Sequence, residues 1–219
     1  LYGCRENEIG EDTMYEIQTD VVIVGGGPAG LSAAVAAKKE GAEKVLIIER
    51  DEKLGGILQQ CIHPGFGLTY FHKELTGPEY AGHFKEEALA LGAEVLLNSM
   101  VLEVIPEESA VICVNSEYGM TKVKAGSIVL AMGCRERTRA GIMIPETEEF
   151  IPCDTLLLSV GLIPENELSR GADVKISRIT NGPEVNQYMQ TSWDNVFACG
   201  NVVHVNDLVD NVTVESMNA

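Results

Sequence analysis

Basic residues are scarce in this chain. Its 219 residues hold 16 Lys and Arg against 33 Asp and Glu, a formal net charge of -17. A nucleic-acid partner needs a basic surface for its phosphates, so that class is excluded. An anionic membrane surface is excluded on the same ground. The acid excess reads as a solvated face that aids solubility. Long apolar runs are missing too. None approaches the ~18 residues that span a bilayer, so no membrane span is expected. No basic-then-apolar signal pattern opens the chain. Aromatic residues make up 5% of the sequence, and the single Trp193 lies in a polar turn where packing is the plain role. Paired cysteines are absent as well: Cys4, Cys61, Cys113, Cys134, Cys153 and Cys199 form no CxxC. None joins His63, His72, His83 or His204 at ligand spacing, so no metal site is expected. Most sit in apolar runs, such as VFACG around Cys199, and read as small buried hydrophobes in a reducing compartment. A cytoplasmic location without structural disulfides follows.

What the chain does have is concentrated in residues 21–50. Four apolar β-formers run into VVIVGGGPAG, an Ala/Leu-rich helical pattern follows over 31–39, and a second strand, VLII, ends at Glu49. This is the βαβ dinucleotide fingerprint, with the acid at the usual spacing of about 20 residues. Gly25 permits the tight turn, Gly27 lets backbone approach a pyrophosphate, and Gly30 lets helix and strand pack closely. Pro28 and Ala29 open the helix, where a missing N–H is no loss. The helix N-terminus supplies unpaired N–H groups and positive potential for phosphates. Glu49 can accept from both hydroxyls of an adenosine ribose, with Arg50 over the adenine edge.

Residues 1–13 are polar and lack periodicity, and read as an extension before Met14. Residues 51–67, DEKLGGILQQCIHPGFG, form a Gly-rich loop. Ala81, Phe84, Ala88 and Leu91 recur at helical spacing over 79–91, and Gly92 ends that helix. A third parallel strand is expected over 94–97. Short strands over 100–105, 110–114 and 120–123 make an antiparallel meander. Apolar strands are expected over 127–131, 154–160 and 195–199, with a helix beginning at Asn211. No second GxGxxG follows any later strand.

Several separate motifs now agree. GGGPAG with Glu49, SIVLAMG over 127–133, TSWDNVFACGN over 191–201 and DTLLLSVGLIPENEL over 154–168 resemble the FAD-binding part of the pyridine nucleotide-disulfide oxidoreductase superfamily, the glutathione reductase-like flavoproteins. The match runs from about Met14 to the C-terminus. The resemblance implies an α/β fold: a Rossmann-like FAD-binding domain with a central parallel sheet and a small antiparallel β-meander. It implies FAD as cofactor, with Gly55, Gly56 and Ile57 along its middle and backbone near Val101 at the adenine. It also implies Ala131, Met132 and Gly133 in the second motif, and Gly200, Asn201 and Val202 near the ribityl chain. Asn211, Val212 and Thr213 then present a helix N-terminus to the flavin carbonyl. Asn201 stands where the family motif ends in Asp. The stretches GGILQQCIHPGFGL and KELTGPEYA narrow the likeness to flavoproteins found beside glycerol-3-phosphate oxidising enzymes.

Two departures limit what the resemblance implies. The family's disulfide reductases carry a cysteine pair just after the GG of this loop; here Leu58 and His63 hold those places and Cys61 stands alone. The family also inserts a nicotinamide-binding domain between the second motif and the 154–168 stretch. Only residues 134–153 separate them here, too few for a βαβ unit of about 30 residues. The expected layout is one domain over 14–219, in two parts, 14–141 and 152–219, joined at that point. The expected function is an FAD-dependent oxidoreductase that meets NAD(P)H through a missing domain or a partner subunit. The alternative is a minimal, non-catalytic FAD-binding module. His63 is the candidate proton carrier and Cys61 the candidate redox thiol. For each the plainer reading is an ordinary loop residue.

Overall fold

In the computed structural model, residues 14–136, 149–155 and 161–219 are described. The expected extension over 1–13 and most of the strand expected over 154–160 lie outside the described residues. Strand β1 (Tyr15–Val24) leads into helix α1 (Pro28–Lys39) and strand β2 (Val45–Ile48). All four residues of β2 are buried, as a strand covered on both faces requires. The loop after it holds a one-turn 3-10 helix at Gly56–Gln60 and two short strands, β3 (Pro64–Phe66) and β4 (Leu75–Thr76).

Helix α2 (Gly77–Ala90) starts at a capping box. The Thr76 hydroxyl accepts from Glu79 N–H at 3.4 Å while Glu79 accepts from Thr76 N–H at 2.8 Å, worth about 1 kcal/mol. Then come β5 (Glu94–Leu96), β6 (Ser99–Ile105), β7 (Ala110–Asn115), β8 (Gly119–Leu130), β9 (Cys134–Glu136), β10 (Leu162–Pro164), helix α3 (Glu167–Gly171), β11 (Val196–Ala198) and helix α4 (Val209–Ser216).

The main sheet runs β5-β2-β1-β8-β7-β6, with β11 on the far end of β8. β5, β2, β1, β8 and β11 are mutually parallel, and β6, β7 and β8 form the antiparallel meander. Alternate residues of the central strands feed two cores. Ile23, Ile47 and Val129 pack under Leu31, Val35, Tyr80 and Phe84 of the helices. Val22, Leu46, Ile128 and Leu130 pack against Val104 and Val111 of the meander and Val174 and Val203 beyond it.

Two expectations are corrected. The strands read at 120–123 and 127–131 are one strand, β8, because Gly126 lets the chain run close beside β1: a Cβ there would lie 3.0 Å from Asp20 O. The last helix begins at Val209, not Asn211. Among the described residues no helix is long and apolar enough to cross a membrane.

Candidate functional site

The carboxyl ends of β1, β2, β8 and β11 lie at the same edge of the parallel sheet, where the strand order reverses from β2 on one side of β1 to β8 on the other and open α/β sheets form their crevice. Ligands of open α/β sheets bind at such switch points. Gly25 takes φ +106, and its N–H donates to Ile48 O at 2.9 Å. A Cβ on Gly25 would lie 2.5 Å from Ala131 O, and one on Gly30 would lie 1.9 Å from Gly25 O. Both glycines are therefore required by the fold itself. Gly27 differs: nothing lies within 4 Å of its would-be Cβ. It is the N-cap of α1, which has no side-chain cap and no acidic residue in its first turn. The backbone N–H groups there have no intrahelical acceptor, and the helix end carries positive potential. Pro28 occupies the first helical position, and Ala29 is buried behind the turn.

Glu49 is 5% exposed at the end of β2. Its carboxylate accepts from Gly26 N–H at 2.7 Å and Asp51 N–H at 2.9 Å, one bond per oxygen. Each oxygen keeps a second acceptor site. The backbone of Glu49 is fixed in turn by Leu96 O and Ser99 N–H, both at 2.9 Å. Arg50 beside it is exposed and has no ion-pair partner among the described residues. Gly55 and Gly56 both take positive φ and lie on the glycine turn. Gly55 N–H donates to Gly26 O at 2.8 Å, and a Cβ on Gly56 would lie 3.2 Å from Gly27 Cα. Ile57, next in line, is 65% exposed.

The second and third motifs reach the same place. Ala131 N–H donates to Val24 O at 2.9 Å, Met132 is half-buried behind it, and Gly133 turns the chain at φ +77. Gly200, at φ +73, sits where a Cβ would be 2.7 Å from the Cβ of Ala29 and 3.1 Å from Val212. Asn201 follows, its Oδ1 accepting from Asn206 N–H at 2.9 Å and its Nδ2 donating to Cys134 Sγ at 3.6 Å. Val202 is fully buried.

In α4, Asn211 and Val212 donate their N–H groups to Leu208 O, so the free first-turn groups belong to residues 209 and 210. The hydroxyls of Thr213 and Tyr80 meet at 2.7 Å, fully buried. Val101 lies on β6, opposite Cys113, and packs against the core beneath the meander.

His63 and Cys61 stand apart. His63 is exposed, with Nδ1 2.9 Å from Pro64 O and its ring against Phe66. Cys61 donates its thiol to Ile57 O at 3.4 Å. Both side chains are bonded inside their own loop, and no hydrogen bond links the two. Sequence reasoning missed three polar groups that brace the crevice. Asp210 is 4% exposed and accepts from Tyr70 N–H at 3.0 Å. Tyr80 reaches Thr213, and Glu215 accepts from Gly200 N–H at 3.1 Å. No local pattern marks them, because each pairs with a distant segment. Burial pushes the thiol of Cys134 up, and that of Cys199 up to about 12. Among the described residues no group of His, Cys, Asp and Glu could hold a metal ion.

Comparison with known proteins gives the same outline. The profile of the pyridine nucleotide-disulphide oxidoreductase family matches residues 19–143 and 137–218. The hydrogen cyanide synthase subunit HcnB of Pseudomonas protegens is 33% identical over 125 residues, covering 53% of this chain and 25% of that protein. The chain spans less than half the length of this and other curated relatives it matches. The L-proline dehydrogenase of P. horikoshii superposes with a TM-score of 0.75 at 16% identity, over 96% of this chain and 56% of that one. The bacillithiol disulfide reductase of Bacillus cereus also gives 0.75, at 14% identity, over 92% and 97%. These last two likenesses show the fold.

Proposed function

We propose that this chain, which belongs to the pyridine nucleotide-disulphide oxidoreductase family, binds FAD in the crevice and works as part of an FAD-dependent oxidoreductase. The observation that carries this reading is the open face of Gly27 beneath an uncapped helix N-terminus. That is a cradle a Cβ would fill and an anion would satisfy. The turn at 25–30 would take the pyrophosphate, and Glu49 would accept from the adenosine ribose with its remaining lone pairs. Arg50 would cover the adenine edge, with backbone near Val101 beyond it. Gly55, Gly56 and Ile57 would lie along the cofactor, with Ala131, Met132 and Gly133 below. Gly200, Asn201 and Val202 would face the ribityl chain, and the first turn of α4, ahead of Asn211, Val212 and Thr213, the flavin carbonyl. Bound flavin would supply the electron-pair chemistry that no side chain here can. The protein binds, orients and shields it.

His63 is the candidate to carry a proton beside the ring, since its loop continues from Gly56 and its imidazole is exposed. The ladder of β9 and β10, held by Arg135–Glu165 at 3.2 Å, draws the two parts of the chain together. It supports the layout of one domain in two parts, 14–141 and 152–219, joined where the family's nicotinamide domain is inserted. NAD(P)H would then be met through a partner subunit or a domain this chain lacks. The loop over 55–68 supports a narrower reading, a dehydrogenase associated with glycerol-3-phosphate oxidation in the cytoplasm.

Acid release of the cofactor and chromatography test the first claim. FAD is expected; FMN alone, or no flavin after reconstitution with excess FAD, sinks it. Anaerobic NADH tests the second. Hydride transfer needs reacting atoms held about 3–3.5 Å apart, and the sequence has no second GxGxxG to hold the nicotinamide cofactor. Slow, unsaturable bleaching is expected, and saturation at micromolar NADH would overturn the layout. Retention of FAD without turnover by any donor or acceptor would leave the minimal FAD-binding module.

A further inference from the structure

Glu215 sits in the last turn of α4, where the helix dipole disfavours a carboxylate. Its side chain is only 12% exposed, so desolvation disfavours it as well. What it receives in return lies in one place. Oε1 accepts from Gly200 N–H at 3.1 Å, and Oε2 lies 3.5 Å from Asn206 Nδ2 and 3.8 Å from His204 Nε2. The carboxylate therefore ties both ends of the turn over residues 200–206 to the helix. Within that turn, Asn206 N–H donates to Asn201 Oδ1 at 2.9 Å. A backbone N–H is only ever a donor, so this bond decides which way round the Asn201 carboxamide lies. The NH2 end donates one N–H to Cys134 Sγ at 3.6 Å, and its second N–H has no protein partner among the described residues. An Asp at position 201 would offer acceptors alone.

We propose that Glu215 is a positioning residue for the cofactor: it fixes the turn over 200–206 so that Asn201 presents an N–H donor, and the site requires that donor. The inference rests on the FAD reading above. It explains why an amide occupies a position where the family motif ends in an acid. The carboxylate at this turn is that of Glu215, on Gly200 N–H, and the Asn201 NH2 is a donor. Ribityl hydroxyls accept as readily as they donate, so a donor is chemically sufficient there.

The test is a double-mutant cycle read by FAD titration of the reconstituted protein, with flavin fluorescence quenching as the signal. Glu215→Ala is expected to weaken FAD about tenfold, as loss of a charge-assisted bond does. Glu215→Gln, which keeps an acceptor for Gly200 N–H, is expected to restore most of that affinity. In an Asn201→Ala background the Glu215→Ala loss is expected to vanish, since the two act through one group. A purely structural Glu215 would give additive losses, and additivity overturns the proposal. Asn201→Asp provides a second decision that needs no change at Glu215. It is expected to bind FAD about fivefold or more weakly than the parent, with the melting temperature of the FAD-free protein unchanged. Equal or tighter binding overturns the proposal. Parent protein that takes up no FAD at all sinks the FAD reading, and this inference with it. Normal uptake with additive losses sinks the positioning role alone.

Discussion

Gly56 separates two stretches built on opposite principles. On one side the turn over 25–30 is locked by backbone: Gly25 to Ile48 O, Gly26 to Glu49, and a 2.5 Å approach to Ala131 that excludes any side chain. On the other, residues 57–66 leave Ile57 65% and Ile62 80% exposed, and the side chains of Cys61 and His63 bond only to near neighbours. The geometry of the first stretch is set by the fold itself, and a turn fixed before a ligand arrives saves ordering cost on binding. The second is tied by its backbone, through Gly77 N–H to Cys61 O at 2.9 Å and the β3-β4 ladder, and leaves its side chains uncovered. It offers reactive side chains to whatever covers it.

The strongest way to break this contrast is to place a methyl group on each side of the turn. Gly30→Ala puts a Cβ 1.9 Å from Gly25 O in the packed seam between helix and strand, and is expected to destabilise the fold by about 3 kcal/mol or more. Gly27→Ala meets nothing within 4 Å. It is expected to leave the FAD-free protein within ~1 kcal/mol of the parent and to abolish FAD uptake. Urea unfolding and FAD titration of both variants check this. Comparable stability of the two would show that the turn is not pre-set by packing.

Next in size is Glu49→Ala. It removes the acceptor of two N–H groups, Gly26 and Asp51. Stability of the FAD-free protein is expected to fall by roughly 2–4 kcal/mol and FAD binding by roughly 1–3 kcal/mol, the scale of bonds to a charged group. Unchanged FAD affinity would mean that the ribose is held elsewhere. A stability loss without change in affinity would make Glu49 part of the scaffold only.

The contrast also explains what could be read without coordinates. Strand, glycines, helix and acid over 21–49 were legible because each residue there answers to a backbone constraint: no other side chain fits at Gly25 or Gly30. The single strand β8 was not, because Gly126 punctuates the pattern as a turn would, and its use as a point of close approach to Asp20 depends on β1. Nor were the braces Asp210–Tyr70 and Tyr80–Thr213, whose partners lie 140 and 133 residues apart in sequence. Where a side chain's role depends on a distant partner, the local sequence carries no mark of it.

Beneath the locked half, Cys199 gives a smaller effect with a definite sign. Burial pushes its thiol from 9.0 to about 12. A raised value means the folded state holds its proton more tightly than the unfolded chain does. The resulting stability is complete below pH 9 and is lost as pH rises from about 9 toward about 12. Chemical unfolding between pH 9 and 11 is expected to show a loss of up to about 1.4 kcal/mol per pH unit from this group. Cys199→Ala is expected to flatten that slope while leaving the slope below pH 8 unchanged. An identical alkaline slope in the variant would show that the loss arises elsewhere. Cys113, pushed up to about 11 by burial, is the first alternative to substitute.

The smallest expected effect falls in the open loop. Cys61→Ser keeps a donor for Ile57 O and changes little volume, so stability is expected to move by no more than about 0.5 kcal/mol and FAD affinity not at all. Among the described residues Cys61, Cys113, Cys134, Cys153 and Cys199 form no disulfide, and the place five residues after Leu58 is His63. Any turnover supported by a suitable electron donor is therefore expected to survive the substitution. His63→Gln in parallel sharpens the point, because a proton carrier would lose its pH dependence while a loop histidine would not. If Cys61→Ser abolished turnover and left the flavin spectrum intact, the open loop would hold a one-thiol redox centre. The contrast between a locked glycine turn and a loop with uncovered side chains would then fail where the chemistry happens.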